Sequence, residues 1–194
     1  MKTTMLYGLV LSGGKSTRMG IDKGTISYHG KPQRERLYDL LQPYCDRVFL
    51  SIRPGQEKEI SSQYEYITDE NRFKGPFNGM LSAHNAYPNV GWLVLACDLP
   101  LLNASAIEHL IANRDLDKTA TSFAKKGQSL PEPLIAIWEP QALQTSKTYL
   151  ENAISTCPRK FLINSDTKLV YIQNEMVLFN ANDRADYEHI ISKL

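Results

Sequence analysis

"LVLSGGKSTRMGIDKG", residues 9–24, is the stretch on which the reading of the whole chain turns. An apolar run feeds directly into the adjacent pair Gly13-Gly14, and Lys15, Arg18 and Lys23 follow at close spacing. Glycines leave backbone N–H groups open to an anion, because no Cβ blocks the approach. Three cations suit the charge of a polyphosphate. A solvated basic loop has the same composition, and only the position, directly off a buried strand, favours phosphate over it.

The commonest phosphate loop is excluded by counting. A G-x-x-x-x-G-K-[ST] ending at Gly14-Lys15-Ser16 needs a glycine at position 9, which is leucine. Starting instead from Gly8 puts Gly14 where the lysine belongs. In addition, "LYGLVL" (6–11) reads as a buried strand with Gly8 inside it, whereas that loop's first glycine follows its strand.

Outward from this loop, the 194 residues suit one domain over 1–194, large enough to bury a core without disulfides or metals. A formal net charge of +1 supplies no global field toward nucleic acid or an anionic membrane, so neither is expected as a partner. The apolar runs are too short to cross a bilayer, and "MKTTMLYG" lacks the shape of a secretory leader. Cys45, Cys97 and Cys157 are widely spaced, odd in number and form no CxxC pair. That argues against a disulfide framework or zinc site, and a reducing cytoplasm is the expected location.

Apolar and β-branched runs predict strands at 6–11, 47–52, 64–67, 92–97, 119–123, 134–138 and 169–172. Helical spacing predicts helices over 32–44, 76–87, 104–113, 140–154 and 183–194. Strands that are apolar throughout suit a parallel sheet covered on both faces. The expected class is α/β of the doubly wound kind, whose ligands bind at the carboxyl ends of the strands.

That rule points to three places. The first is the opening loop. The second is "LACDLPLL" (95–102), where Asp98 stands at the end of an apolar strand. A carboxylate there is a natural oxygen ligand for Mg²⁺, which typically takes one or two carboxylates plus substrate phosphates. The competing role is a helix cap, for which Asn103 and Ser105 are better placed. Cys97 reads as a small buried residue. The third is "YITDENRFKGPFNGM" (66–80), with Asp69 after a short strand and glycines bracketing a helix start. On its own this signal is weak, and a surface turn is the better explanation of the stretch. The four histidines, His29, His84, His109 and His189, show no metal-ligand spacing.

Taken in order, "LSGGKSTRMGIDKG", "GKP", "GPFNG", "CDLP" and "FNAND" resemble the L-x-G-G-x-S-x-R-M-G-x-D-K family of nucleotidyltransferases related to molybdenum cofactor guanylyltransferase. The resemblance runs from about residue 6 to about residue 190. It implies a Rossmann-like three-layer α/β/α sandwich with a mostly parallel sheet, of the nucleotide-diphospho-sugar transferase type. It also implies transfer of GMP from Mg-GTP to molybdopterin with release of pyrophosphate. The product would pass to molybdenum cofactor insertion proteins or chaperones.

Carried over by motif, Leu11, Ser12 and Gly13 would line the nucleotide, and Gly14 would lie beside its phosphates. Arg18 and Lys23 would hold the triphosphate, Asp69 the base or ribose, and Asp98 the Mg²⁺. Asn180 and Asn182 would complete the site on the acceptor side. The chain departs from the pattern in three places. Ser51 stands where asparagine is frequent, Asn78 replaces the alanine of "GPLAG", and "NDRAD" replaces "NTPED". The first two bear on the choice of base and second substrate. A CTP-dependent molybdopterin cytidylyltransferase, a sugar-phosphate nucleotidyltransferase and a non-catalytic nucleotide-binding subunit are the alternatives. An anionic acceptor needs no strong general base to attack phosphorus. This fits a motif set without an evident catalytic histidine or cysteine.

Overall fold

A computed structural model describes residues 5–14, 22–152 and 155–192. Leu6–Leu11 forms β1, buried along nearly its whole length. Side chains alternate across a strand, so β1 splits its residues between two cores. Leu6 and Val10 join the cluster formed with Leu37, Leu41, Ile107 and Leu110. Tyr7 and Leu9 join the cluster of Phe77, Met80, Trp92, Trp138 and Leu143 on the other face. Gly8 is glycine because a Cβ there would sit 2.9 Å from Leu41 Cδ1, so the helix packs directly onto the strand.

The elements that follow are α1 (Gln33–Leu41), β2 (Arg47–Ile52), β3 (Tyr66–Thr68), α2 (Pro76–Ala86), β4 (Gly91–Ala96) and α3 (Ala104–Ala112). Next come β5 (Ala120–Ala124), β6 (Pro131–Trp138), α4 (Pro140–Asn152), α5 (Pro158–Ile163), β7 (Thr167–Tyr171) and α6 (Arg184–Ile191). One seven-stranded sheet results, in the order β3-β2-β1-β4-β6-β5-β7. Helices α1 and α3 cover one face, and α2, α4 and α5 the other. This is the three-layer α/β/α sandwich.

The sheet is mostly parallel, as expected, with β6 the exception: it runs antiparallel to both β4 and β5. Its connection to β5 is the short segment 125–130, turned by Gly127 at φ +75, and a parallel crossover needs a dozen or more residues. The apolarity of β6 reflects burial on both faces, which either strand direction can have. The expected helix list lacked α5. It is short, begins at Pro158 after Cys157, and buries Phe161 and Leu162. Boundaries elsewhere shift by a few residues. Among these, α1 closes at Leu41 ahead of Pro43, and β6 begins earlier than expected, at Pro131.

Candidate active site

The order of the sheet reverses between β1 and β4: from β1 the chain moves outward to β2 and β3, then returns to lay β4 on the other side. Loops leaving the carboxyl ends of β1 and β4 therefore part in opposite directions and leave a crevice between them. A cleft of about 610 Å³ opens there, and it brings together all three stretches singled out in the sequence. Leu11, Ser12, Gly13 and Gly14 form one wall with Ser51 and Asp69; Lys23, Cys97 and Asp98 form another; Asn71, residues 73–76, Asn78 and Gly79 close a third. The stretch 66–80 is thus a wall of the cleft and not an isolated surface turn. Arg18, together with Lys15, lies outside the described residues.

The paired glycines have different reasons to be glycine. A Cβ at Gly13 would lie 2.6 Å from Asp69 Oδ2 and 3.1 Å from the Arg53 backbone nitrogen. At Gly14 it would meet nothing within 4 Å. Gly13 is therefore required by packing, whereas Gly14 leaves its backbone bare to the cleft. Ser12 is buried, and both its backbone N–H and its hydroxyl donate to the Ser51 carbonyl at 2.9 Å. Its side chain serves the loop's anchorage to β2.

Ser51 is itself buried, and its hydroxyl donates to Asp69 Oδ1 at 2.7 Å. A Cβ on Gly79 would overlap Ser51 Oγ, so α2 enters the site through a glycine for steric reasons. Burial pushes the Asp69 carboxyl above its ordinary range, and hydrogen bonds from Ser51 and Asn78 pull the other way. Two of the three departures from the family pattern, Ser51 and Asn78, thus converge on one carboxylate.

Lys23 begins a short 3-10 turn (Lys23–Thr25) capped by Asp22. Its ammonium donates to Asn182 Oδ1 at 2.9 Å and stands 3.8 Å from Asp98 Oδ2. Asp98 lies in the turn two residues past β4, and its carbonyl accepts from the Ala181 N–H at 2.9 Å. Burial pushes the Asp98 carboxyl up, against the opposing pull of Lys23. Asn103, not Asp98, caps α3 by accepting from the Ala106 N–H. Asn180 lines a smaller cavity of about 90 Å³ with Glu132 and Arg159, adjoining the main cleft at Asp98 and Leu134.

Among the described residues no group of three or more His, Cys, Asp or Glu could hold a metal ion. A lone carboxylate whose charge is disfavoured by burial still suits Mg²⁺, if phosphate oxygens and water fill the other positions. Burial likewise pushes the Cys97 thiol up, which removes it as a nucleophile. No histidine lines the cleft among the described residues. His29 Nε2 donates to the Pro100 carbonyl at 2.9 Å outside it, and His84, His109 and His189 lie on α2, α3 and α6.

Sequence reasoning missed Asp22, Gln56, Phe73, Lys74 and Leu134. Asp22 stood inside the quoted motif and could have been found. Phe73 and Lys74 stood inside the quoted stretch 66–80. Gln56 and Leu134 carry no local signal, because only the tertiary fold brings them to the cleft or behind it.

Comparison with known proteins bears on the family and the fold. The family model described as MobA-like NTP transferase domain matches residues 8–167. A molybdenum cofactor biosynthesis bifunctional protein of Synechocystis sp. is 42% identical over 188 residues, covering 96% of this chain and 54% of that protein. The chain thus spans about half the length of that relative. A probable molybdenum cofactor guanylyltransferase of Flavobacterium johnsoniae is 30% identical over 146 residues, 75% of each chain. In fold, the crystal structure of a molybdopterin-guanine dinucleotide biosynthesis protein A from Archaeoglobus fulgidus superposes with a TM-score of 0.77 at 22% identity, covering 97% of this chain and 100% of that one.

Proposed function

The chain belongs to the MobA-like NTP transferase family, and from that premise we propose that it transfers GMP from GTP to molybdopterin with release of pyrophosphate. The supporting observation is the meeting of Lys23 and Asp98, 3.8 Å apart, at the crevice between β1 and β4. A cation and a carboxylate brought together from distant parts of the chain suit a metal-bound polyphosphate.

In this reading the terminal phosphate of molybdopterin attacks the α-phosphorus of GTP. A new P–O bond forms, the bond between the α-phosphorus and the bridging oxygen breaks, and pyrophosphate departs. The attacking oxygen is already anionic near neutral pH, so no residue need remove a proton. Lys23 neutralises charge on the triphosphate and on the departing pyrophosphate. Asp98 would hold Mg²⁺, which supplies Lewis-acid charge neutralisation at phosphate oxygens when bound. The bare backbone at Gly14 receives phosphate, while Asp69, held by Ser51, faces the base or ribose. Asn180 and Asn182 meet the acceptor, with Arg18 as a further triphosphate contact.

The whole of residues 1–194 acts as one nucleotidyltransferase domain in the cytoplasm, handing its product to cofactor insertion proteins. Among the described residues no helix is long and apolar enough to cross a membrane. The test is pyrophosphate release with GTP, CTP, ATP and UTP in parallel, each with molybdopterin and Mg²⁺. GTP should be used best. Faster turnover with CTP would overturn the guanylyl reading and leave the nucleotidyl transfer standing; release with no nucleotide would overturn both.

A further inference from the structure

Behind the cleft lies a polar assembly whose bonds all serve one turn. Gln56 is 1% exposed, yet both ends of its amide are satisfied. Oε1 accepts from the Arg53 N–H at 2.9 Å, and Nε2 donates to Asp22 Oδ2 at 2.7 Å. The Arg53 guanidinium donates to the same Oδ2 at 3.2 Å. The other carboxylate oxygen, Oδ1, accepts from the Gly24 N–H at 2.9 Å, and the Asp22 carbonyl accepts from the Thr25 N–H and hydroxyl. Asp22 is therefore gripped from behind by two donors and grips the turn Lys23–Thr25 in front with both its carboxylate and its carbonyl.

A buried amide with both ends matched is costly to place and costly to remove, because deleting it leaves charged and polar partners unpaired. The short 3-10 turn has few bonds of its own to fix it. Its direction decides where the Lys23 ammonium points, and a lysine stem has enough rotamers to miss its target. The other end of the assembly is the backbone of Arg53, which lies against Gly13 on the opposite side of the phosphate loop. Gln56 thus spans from the strand end that backs the first half of the loop to the turn that carries its last cation.

We propose that Gln56, with Arg53, is a positioning residue for Lys23: it clamps Asp22 so that the Lys23 ammonium meets the triphosphate without a search over conformers. It touches neither substrate. The inference rests on the reading of Lys23 as a triphosphate contact.

The test measures binding of Mg-GTP by calorimetry for the wild-type chain, Gln56→Leu, Asp22→Asn, Lys23→Ala and the double variant Lys23→Ala/Gln56→Leu. Asp22→Asn keeps the oxygen for Gly24 but offers an N–H where Gln56 and Arg53 donate, so it opens the clamp from the other side. Each clamp variant should bind Mg-GTP about tenfold more weakly, as expected for loss of one charge-assisted bond. The double variant should bind as Lys23→Ala does, because a clamp that acts through Lys23 has nothing left to position. Melting temperatures recorded alongside separate this from a damaged fold, whose effects would add. Gln56→Leu and Asp22→Asn binding as tightly as wild type, or the double variant losing the product of both single effects, overturns the clamp. A wild-type chain that binds no nucleoside triphosphate overturns instead the reading on which the clamp rests.

Discussion

Replacing Gly13 with alanine probes the most tightly fitted point in the cleft. The added Cβ would lie 2.6 Å from Asp69 Oδ2, with the Arg53 nitrogen at 3.1 Å and the Ile52 carbonyl carbon at 3.3 Å behind it. Gly13 does not have positive φ, so the backbone accepts alanine and the whole cost falls on the neighbours. Two of those neighbours are main chain of β2 and its exit, which leaves the Asp69 side chain as the group that yields. Ordinary contact requires the carboxylate to retreat by roughly 0.8 Å, enough to carry the 2.7 Å bond from Ser51 past hydrogen-bonding range. Loss of such a bond to a charged group is worth about 1.5–3 kcal/mol, or roughly ten- to a hundredfold in kcat/KM. A displaced acceptor should hurt guanine, which offers two adjacent donors on one edge, more than cytosine. Steady-state kcat/KM with GTP and with CTP measures this, and a melting curve reports strain at about 2–4 °C per kcal/mol for a chain this size. A variant that keeps its GTP kcat/KM within about twofold would refute Asp69 as a nucleotide contact, and equal loss of GTP and CTP use would move its contact from the base to the ribose.

Asp98→Asn should cut turnover by about a hundredfold or more, measured as pyrophosphate release against Mg²⁺ concentration. The same variant should melt no lower than wild type at neutral pH. Burial raises the Asp98 carboxyl pKa, so folding favours its protonated form, and the ionised group is a burden that appears as pH rises through that raised value. The difference in melting temperature should vanish below the ordinary carboxylate range, and a strongly destabilised variant would return Asp98 to a structural role. Lys23→Ala should raise KM for GTP about tenfold or more with little change in melting temperature. Lys15→Ala, on the same loop but off the motif's fixed positions, is the control, and equal damage from both would mean general charge. Asn180→Ala should raise KM for molybdopterin and leave KM for GTP unchanged in kinetics with each substrate varied, and the opposite pattern would move Asn180 to the nucleotide side.

Much of the fold was legible because its signals are local. The run "LYGLVL" carries its own burial pattern, Asn103 announces a helix start, and the long motif from Leu11 to Lys23 has fixed gaps. The direction of β6 was not legible, since two-sided burial makes a strand apolar whichever way it runs. Nor was α5, a single buried turn and a half led by Cys157-Pro158, too short for its periodicity to stand out. At the site, the sequence marked which residues to examine but not which of them touch. Nothing in "FLSIRPGQ" reveals that Ser51 closes on Asp69 or that Gln56 reaches Asp22. Such contacts join positions far apart in the chain, with Ser51 paired to Ile67 two residues before Asp69, and Gly79 shows its purpose only once Ser51 Oγ stands against it.

The most direct measurement follows the label from GTP carrying radioactive phosphorus at either the α or the γ position, incubated with molybdopterin and Mg²⁺. Nucleotidyl transfer requires α-label to appear in a dinucleotide product joined to the pterin, and γ-label to appear in pyrophosphate and nowhere else. α-Label that stays in GMP or GDP, or γ-label released as free phosphate, would show hydrolysis or phosphoryl transfer and contradict the assignment of the cleft.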